Sequence, residues 1–226
     1  MYTRTLQTLV TKRYKIKRSK KRKKEIKNNL GYLTLKKMTC IVGFIDKKKN
    51  KVVMGADSVG IAGLEVTLRK DKKVFKNGDF VIGGTSSFRM IQLLRFSFRP
   101  PEIHDKEIYE YMCTDFINAV RKCFEEGGCL QKFSDGDEKG GVFLVAYKDR
   151  LFKIDNDFQV AEASQGFDAC GCGEAYALGS IYSTSKTNAE TIVIDALRCA
   201  ENFSGGVRSP FVIYCTQKKL TITLDI

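Results

Sequence analysis

Thr39 is the residue in this chain whose position could support catalysis most directly. It follows Met38 and precedes an apolar run, residues 40–46, that is typical of a β-strand. Removal of a start methionine at Met38, or excision of a leader, would give Thr39 a free α-amine beside its own hydroxyl. The reference pKa of an α-amine is about 7.7–8.0, so the amine can accept the hydroxyl proton near physiological pH. Thr39 could therefore act as nucleophile and base without a histidine.

Two charged residues could complete this chemistry. Asp57 ends the run 51–57, which forms a predicted hairpin with the run before it and can return the carboxylate to Thr39. Lys73 opens the third predicted strand, and its neighbour Lys72 is the alternative. A lysine ammonium beside the threonine would lower the pKa of the amine and favour the alkoxide. An aspartate beside that lysine would orient it.

The charge distribution separates the chain at Met38. The net charge is +13, but residues 1–38 hold 14 of the 39 Lys and Arg residues and only one of the 26 Asp and Glu residues, which leaves 25 of each sign from Thr39 onward. We therefore expect a domain at 39–226, preceded by a basic arm that is disordered on its own. The arm is interpreted as a solvated tail, a mis-assigned start, a propeptide, or a tether to nucleic acid through residues 1–37.

The cysteines argue against a metal site and for a reducing compartment. None of the eight forms a Cys-x-x-Cys pair, and His104 is the only histidine. We expect no metal and no cofactor. The first 30 residues lack the apolar stretch of a secretory signal, and no run approaches the ~20 apolar residues of a membrane helix. These features predict a cytoplasmic protein without a membrane segment.

The predicted elements fall into blocks of strands and blocks of helices. Strands are predicted at 40–46, 51–57, 72–76, 79–83, 141–147, 150–154, near 158–161, and at 210–215 and 219–224. Helices are predicted at about 86–97, 105–126, 173–184 and 188–202. Grouping of this kind favours an α+β fold with antiparallel sheets over a doubly wound parallel sheet. Two central sheets between two helix layers satisfy the pattern.

The chain resembles the proteasome β-subunit family, including the bacterial two-ring ATP-dependent protease subunit and phage-type relatives. The resemblance extends from Thr39 to about residue 215 and follows the order of the elements. The motifs that carry it are Thr39-Cys40-Ile41-Val42-Gly43, Gly55-Ala56-Asp57-Ser58, Lys72-Lys73-Val74, Val81-Ile82-Gly83-Gly84-Thr85-Ser86 and Gly171-Cys172-Gly173 followed by Ala175-Tyr176-Ala177. This combination is more specific than any one motif alone.

The resemblance implies a four-layer αββα fold of the N-terminal-nucleophile hydrolase type and hydrolysis of peptide bonds. By position in the motifs, Thr39 is implied as nucleophile and base, with Asp57 and Lys73 as partners. A backbone N–H near Ser86 is implied as the oxyanion donor, where the family usually has glycine. Cys172 stands where the family commonly has a serine near the threonine amine, and a thiol forms weaker hydrogen bonds.

The resemblance also implies partners. A polypeptide substrate, a homo-oligomeric ring and an ATP-dependent unfoldase supplied in trans are expected, since the sequence has no Gly-x-x-x-x-Gly-Lys-Ser/Thr phosphate loop. Three alternatives stay open: a non-catalytic ring scaffold of the same fold in which Thr39 is blocked, a protein tethered to nucleic acid by its arm, and hydrolysis of small-molecule amides.

Overall fold

The computed structural model describes residues 38–132, 138–217 and 222–224. The prediction of a basic arm at 1–38 therefore falls, except for Met38, outside the described residues, and the boundary at Thr39 stays a prediction. The prediction of a strand at 219–224 is described only for residues 222–224.

The first sheet is antiparallel and contains the first two strands of the described chain. Its strands are β1 (Cys40–Asp46), β2 (Lys51–Ala56), β12 (Phe167–Gly171), β13 (Phe211–Cys215) and β14 (Ile222–Leu224). Their order is β12-β1-β2-β13-β14. β1 pairs with β2 through the predicted hairpin, with Ile41 opposite Ala56. The residue before β1 is therefore placed next to the residue that follows β2.

The second sheet is also antiparallel. Its strands are β5 (Val74–Asn77), β6 (Phe80–Gly84), β9 (Phe143–Tyr147), β10 (Arg150–Ile154) and β11 (Val160–Glu162). Their order is β11-β10-β9-β6-β5. The predicted hairpin at Asn77-Gly78 joins β5 to β6, and Gly78 has a positive φ of 59° that suits glycine at this turn.

The helices lie where the periodicity predicts them. They are α1 (Phe88–Phe96), α2 (Ile108–Tyr111), α3 (Ile117–Glu126), α4 (Glu174–Ser183) and α5 (Ala189–Phe203). A π-helical turn, Met112–Phe116, joins α2 to α3, so the predicted helix at 105–126 is one helical segment with a bulge. The side chain of Asn188 caps α5 by accepting a hydrogen bond from the backbone N–H of Thr191 at 2.8 Å.

Three hydrophobic clusters hold these elements together. Side chains that alternate along β1 belong to two of the three clusters. Cys40 and Val42 point to a cluster shared with α4 and α5, whereas Ile41 points to a cluster that contains residues of both sheets. A third cluster joins the second sheet to α1, α2 and α3. The prediction of an α+β fold with antiparallel sheets is confirmed.

Three features were absent from the sequence prediction. One is a two-stranded ribbon formed by β3 (Val59–Ala62) and β4 (Glu65–Leu68), which is inserted between Asp57 and Lys73. Leu64 at the tip of the ribbon is fully exposed. Another is β12, which pairs with β1 and carries the chain into α4. The third is a second short ribbon, with strands β7 (Gln131–Lys132) and β8 (Glu138–Lys139).

Within the described ranges, the helices are too short and too polar to cross a bilayer, and no group of His, Cys, Asp or Glu side chains could hold a metal ion.

Candidate active site

Thr39 lies at the start of β1, between the strands that flank it in the first sheet. It is buried, with 4% of its surface exposed. Its carbonyl oxygen accepts a hydrogen bond from the backbone N–H of Gly173 at 3.3 Å, and the backbone N–H of Asp57 donates to the carbonyl of Cys40 at 3.4 Å. The first residues of β1 are therefore fixed by backbone bonds to the two segments that carry the other predicted site residues.

The side chain of Lys73 reaches from the second sheet to Thr39 and Asp57 of the first sheet. Its ammonium Nζ lies 2.8 Å from Thr39 Oγ1 and 2.8 Å from Asp57 Oδ2. Lys73 precedes β5 in the second sheet, whereas Asp57 follows β2 in the first, so the contact spans the interface between the sheets. Both charged side chains are almost fully buried. The structure thus brings together the three residues that the sequence selected. Lys72 instead donates to the hydroxyl of Tyr214 at 3.0 Å.

Asp57 is held by the backbone as well as by the lysine. Its Oδ1 accepts from the N–H of Cys40 at 2.9 Å, and its Oδ2 accepts from the N–H of Val59 at 3.2 Å. These bonds fix the carboxylate, and the carboxylate in turn fixes the ammonium. Burial lowers the pKa of Lys73, against the opposing effect of the Asp57 carboxylate. The ammonium is therefore easier to deprotonate than that of an exposed lysine.

Cys172 contacts the nitrogen of Thr39, as the motif implied. In this chain that nitrogen is a peptide N–H, because Met38 is joined to it, and it donates to Cys172 Sγ at 3.3 Å. Ser204, which the sequence analysis missed, donates its hydroxyl to the same sulfur at 3.2 Å. Ser204 is buried at the C-terminal cap of α5. The only sequence signal for it is its place directly before Gly205-Gly206 at the predicted helix end.

Gly171 and Thr85 lie close to each other and to the carbonyl group of Thr39. Gly171 has a φ of 105°, and a Cβ there would stand 2.1 Å from the carbonyl oxygen of Thr39, so only glycine fits. The same Cβ position lies 3.2 Å from Thr85 Oγ1. Thr85 is 7% exposed, and its hydroxyl has no hydrogen-bond partner among the described residues. Thr85 was also missed by the sequence analysis, although it lies in the Gly83-Gly84-Thr85 motif.

Ser86 lies between β6 and α1, as its motif predicts. Its Oγ accepts a hydrogen bond from the backbone N–H of Val142 at 2.7 Å. Within the described part of the chain, Ser86 makes no hydrogen bond to Thr39, Asp57 or Lys73. The backbone oxyanion donor near Ser86 therefore stays a prediction.

No protein-family model matches the sequence, and no curated protein matches it significantly. Solved structures do match. BPH of Thiobacillus denitrificans, solved in complex with epoxomicin, is 21% identical with a TM-score of 0.65 and covers 78% of this chain and 97% of its own. HslV of Trypanosoma brucei is 20% identical with a TM-score of 0.53, covering 78% and 98%.

The chain has the fold of the HslV-type and proteasome-type β-subunits. Anbu of Yersinia bercovieri, described as an ancestral β-subunit, is also similar, at 16% identity and a TM-score of 0.57, covering 83% of this chain and 88% of its own. The fold is thus the one that the motifs of Thr39, Asp57 and Lys73 indicated. At these identities the likeness establishes the fold, and the chemistry has to be argued from the site.

Proposed function

We propose that the chain is a threonine-type N-terminal-nucleophile peptidase subunit that hydrolyses peptide bonds. The observation that carries the proposal is the position of Lys73 Nζ, 2.8 Å from both Thr39 Oγ1 and Asp57 Oδ2 inside a buried interface between two sheets. A buried lysine ammonium that donates to a hydroxyl stabilises the alkoxide form of that hydroxyl more than its neutral form.

In the proposed reaction, Thr39 is the first residue of the active chain. Its α-amine accepts the hydroxyl proton, and Oγ1 attacks the carbonyl carbon of the substrate. Lys73 stabilises the negative charge on Oγ1 before attack, and Asp57 holds the ammonium. The peptide C–N bond breaks, the leaving amine takes the proton from the Thr39 amine, and an ester on Oγ1 remains. Water, deprotonated by the same amine, hydrolyses the ester and restores Thr39.

Cys172 and Ser204 are proposed to orient the amine. The sulfur of Cys172 already accepts a hydrogen bond from the Thr39 nitrogen and one from the Ser204 hydroxyl. A sulfur acceptor forms a longer and weaker bond than a serine oxygen. We therefore expect Cys172 to orient the amine less firmly than a serine would, so that the contact of Ser204 with the sulfur becomes more important. The oxyanion donor is proposed to be a backbone N–H near Ser86.

The larger assembly is part of the proposal. We infer a helix–sheet–sheet–helix layer order, which the three hydrophobic clusters support, and a homo-oligomeric ring in the cytoplasm that encloses a polypeptide substrate. Exposed large apolar side chains supply surfaces that an assembly would cover: Leu64, Val66, Leu68, Tyr182 and Phe203. The eight cysteines all lie in the described ranges and form no disulfide there, which agrees with a reducing compartment. An ATP-dependent unfoldase in trans, and nucleic-acid binding through residues 1–37, complete the set of proposed partners.

A non-catalytic scaffold is the second candidate. It is favoured by the hydrogen bond that Thr39 Oγ1 donates to the carbonyl oxygen of Met38 at 2.5 Å, which occupies the hydroxyl proton as long as Met38 is attached. While Met38 is attached, the nitrogen of Thr39 is also blocked and cannot act as the base. The mass of the isolated chain separates the two candidates. An N-terminal Thr39 supports the peptidase, and so does an epoxomicin adduct on the peptide that begins at Thr39. A chain that retains residues 1–38 and cleaves no peptide would establish the scaffold instead.

The pH dependence of kcat/KM is expected to be bell-shaped. Activity rises as the Thr39 amine loses its proton, near or below about 7.7–8.0, because Lys73 lies close to it. Activity falls again as Lys73 loses its proton, below the ordinary lysine value of about 10.4, because burial lowers its pKa.

The variant Asp57→Asn tests whether the alkaline limb of the pH profile reports deprotonation of Lys73. Loss of the carboxylate lowers the pKa of Lys73 further, since Asp57 is the charge that raises it, and the alkaline limb should move to lower pH. An alkaline limb that stays in place or moves upward would show that it does not report Lys73.

A further inference from the structure

The loop that follows α5, residues 204–208, closes over the amine side of the site. We call it the Ser204 loop. Ser204 contacts Cys172 through its hydroxyl, and that hydroxyl also accepts a hydrogen bond from the N–H of Gly206 at 3.3 Å. A Cβ at Gly206 would stand 2.5 Å from Cys172 Sγ and 3.0 Å from the Cβ of Met38. The loop therefore packs directly against the sulfur that contacts the Thr39 nitrogen.

Arg208 ties this loop to the end of α5 with one guanidinium nitrogen. Its Nη1 carries two N–H groups, which are shared among three backbone carbonyl oxygens within hydrogen-bond distance: those of Glu201 at 3.1 Å, Ser204 at 3.2 Å and Val207 at 2.6 Å. The last carbonyls of a helix lack partners within the helix, and a cation there also interacts favourably with the helix dipole. The guanidinium thus donates hydrogen bonds to carbonyl groups that would otherwise bond to water. These bonds hold the Ser204 loop against the end of α5.

The backbone of Arg208 extends the connection to the other side of the site. Its carbonyl oxygen accepts a hydrogen bond from the N–H of Ser58 at 3.2 Å, and Ser58 directly follows Asp57. The next residue, Ser209, donates its N–H to the carboxylate of Glu201 at 2.7 Å. One end of the Ser204 loop therefore contacts Cys172 Sγ, which accepts the hydrogen bond from the Thr39 nitrogen. The other end is bonded to Ser58, the residue after Asp57.

We propose that Arg208 is a positioning residue, which holds the Ser204 loop so that Ser204 and Cys172 orient the amine of Thr39. The proposal rests on the proposed peptidase function. Arg208 itself is exposed and touches none of the reacting atoms. Its effect reaches the site through the carbonyl of Ser204, the hydroxyl of the same residue and the sulfur of Cys172.

The kinetic test compares three variants, each expressed as the full chain and measured after the residues before Thr39 have been removed. Arg208→Ala should lower kcat about tenfold, leave KM within about twofold, and shift the acidic limb of the kcat/KM profile, because the amine loses its orientation. Arg208→Lys should retain at least about half of kcat, since an ammonium can donate to the same carbonyls. Arg198→Ala is the matched control: Arg198 is an exposed arginine of α5 that contacts Asp195 at 4.0 Å, and its loss should change neither parameter.

A second readout does not depend on activity. Cys172 is alkylated with iodoacetamide in the full chain and its labelling is followed by peptide mass spectrometry, with the exposed Cys113 as internal reference. Arg208→Ala should label Cys172 about fivefold faster than the wild type and leave Cys113 unchanged, because the loop no longer covers the sulfur.

The two readouts distinguish a failure of the positioning role of Arg208 from a failure of the proposed peptidase function. An unchanged rate of Cys172 labelling in Arg208→Ala overturns the positioning role, and so does a kcat equal to that of the wild type. A wild-type chain that cleaves no peptide, combined with faster labelling in Arg208→Ala, overturns the peptidase and supports the hold of Arg208 on the loop.

Discussion

Replacement of Thr39 by alanine is expected to abolish peptide hydrolysis, with kcat lowered by at least roughly 10⁴-fold. Alanine keeps the amine that Thr39 would carry after processing but removes Oγ1, which is the attacking atom and the acceptor of the Lys73 hydrogen bond at 2.8 Å. The change also removes the Cγ2 methyl group, and the loss of a buried methyl and a hydroxyl should cost about 0.5–3 kcal/mol of stability, which the fold can tolerate. Turnover of a fluorogenic peptide and circular dichroism of the same preparation measure the two effects.

The matched control is Thr39→Ser, which keeps both the hydroxyl and the amine. It should retain measurable turnover, because the proton transfer and the contact with Lys73 are preserved. Turnover by Thr39→Ala at the wild-type rate would show that another residue is the nucleophile. Loss of turnover in both variants, with the fold intact, would indicate that the side-chain methyl group is needed to orient the hydroxyl.

Replacement of Lys73 by methionine is expected to damage stability and activity together. It leaves the Asp57 carboxylate buried without its partner, a change that typically costs about 3–5 kcal/mol. It also removes the ammonium that stabilises Oγ1, so kcat should fall about 10³-fold. Urea denaturation gives the free energy of unfolding, and peptide turnover gives kcat.

Lys72→Met is the control for this variant, because it removes the same charge from the adjacent residue. Lys72 donates to the hydroxyl of Tyr214, so its loss should cost about 1 kcal/mol and leave kcat unchanged. The double variant Asp57→Asn, Lys73→Met should be more stable than Lys73→Met alone, since no buried charge is left unpaired. If the double variant is less stable, the cost of Lys73→Met does not come from the carboxylate.

The sequence located Thr39, Asp57 and Lys73 because each lies at the end of a strand with a strong local signal. The hairpins of β1 with β2 and of β5 with β6 have turn residues and apolar runs that are readable in one dimension. The hairpin register then places Asp57 at Thr39. The contact across the two sheets was not derivable from these patterns, and it was supplied by the family resemblance.

The parts that were missed depend on packing between distant segments. β12 is five residues long and two of its residues are fully buried, so it shows no clear alternation until it is paired with β1. Ser204 meets Cys172 only after α5 has packed on the first sheet. The Thr85 hydroxyl is buried for the same kind of reason. No local pattern marks a side chain whose partner is set by tertiary structure.

The ribbon of β3 and β4 has a consequence for how this protein can change. Its base is closed by the N–H of Arg69, which donates to the carbonyl of Ser58 at 3.0 Å, so the chain enters and leaves the ribbon at nearly the same point. Residues added or lost at the tip near Leu64 therefore leave the geometry of Asp57 and Lys73 untouched. Evolution could lengthen, shorten or re-sequence this projection to suit new neighbours while the reaction centre stays constant.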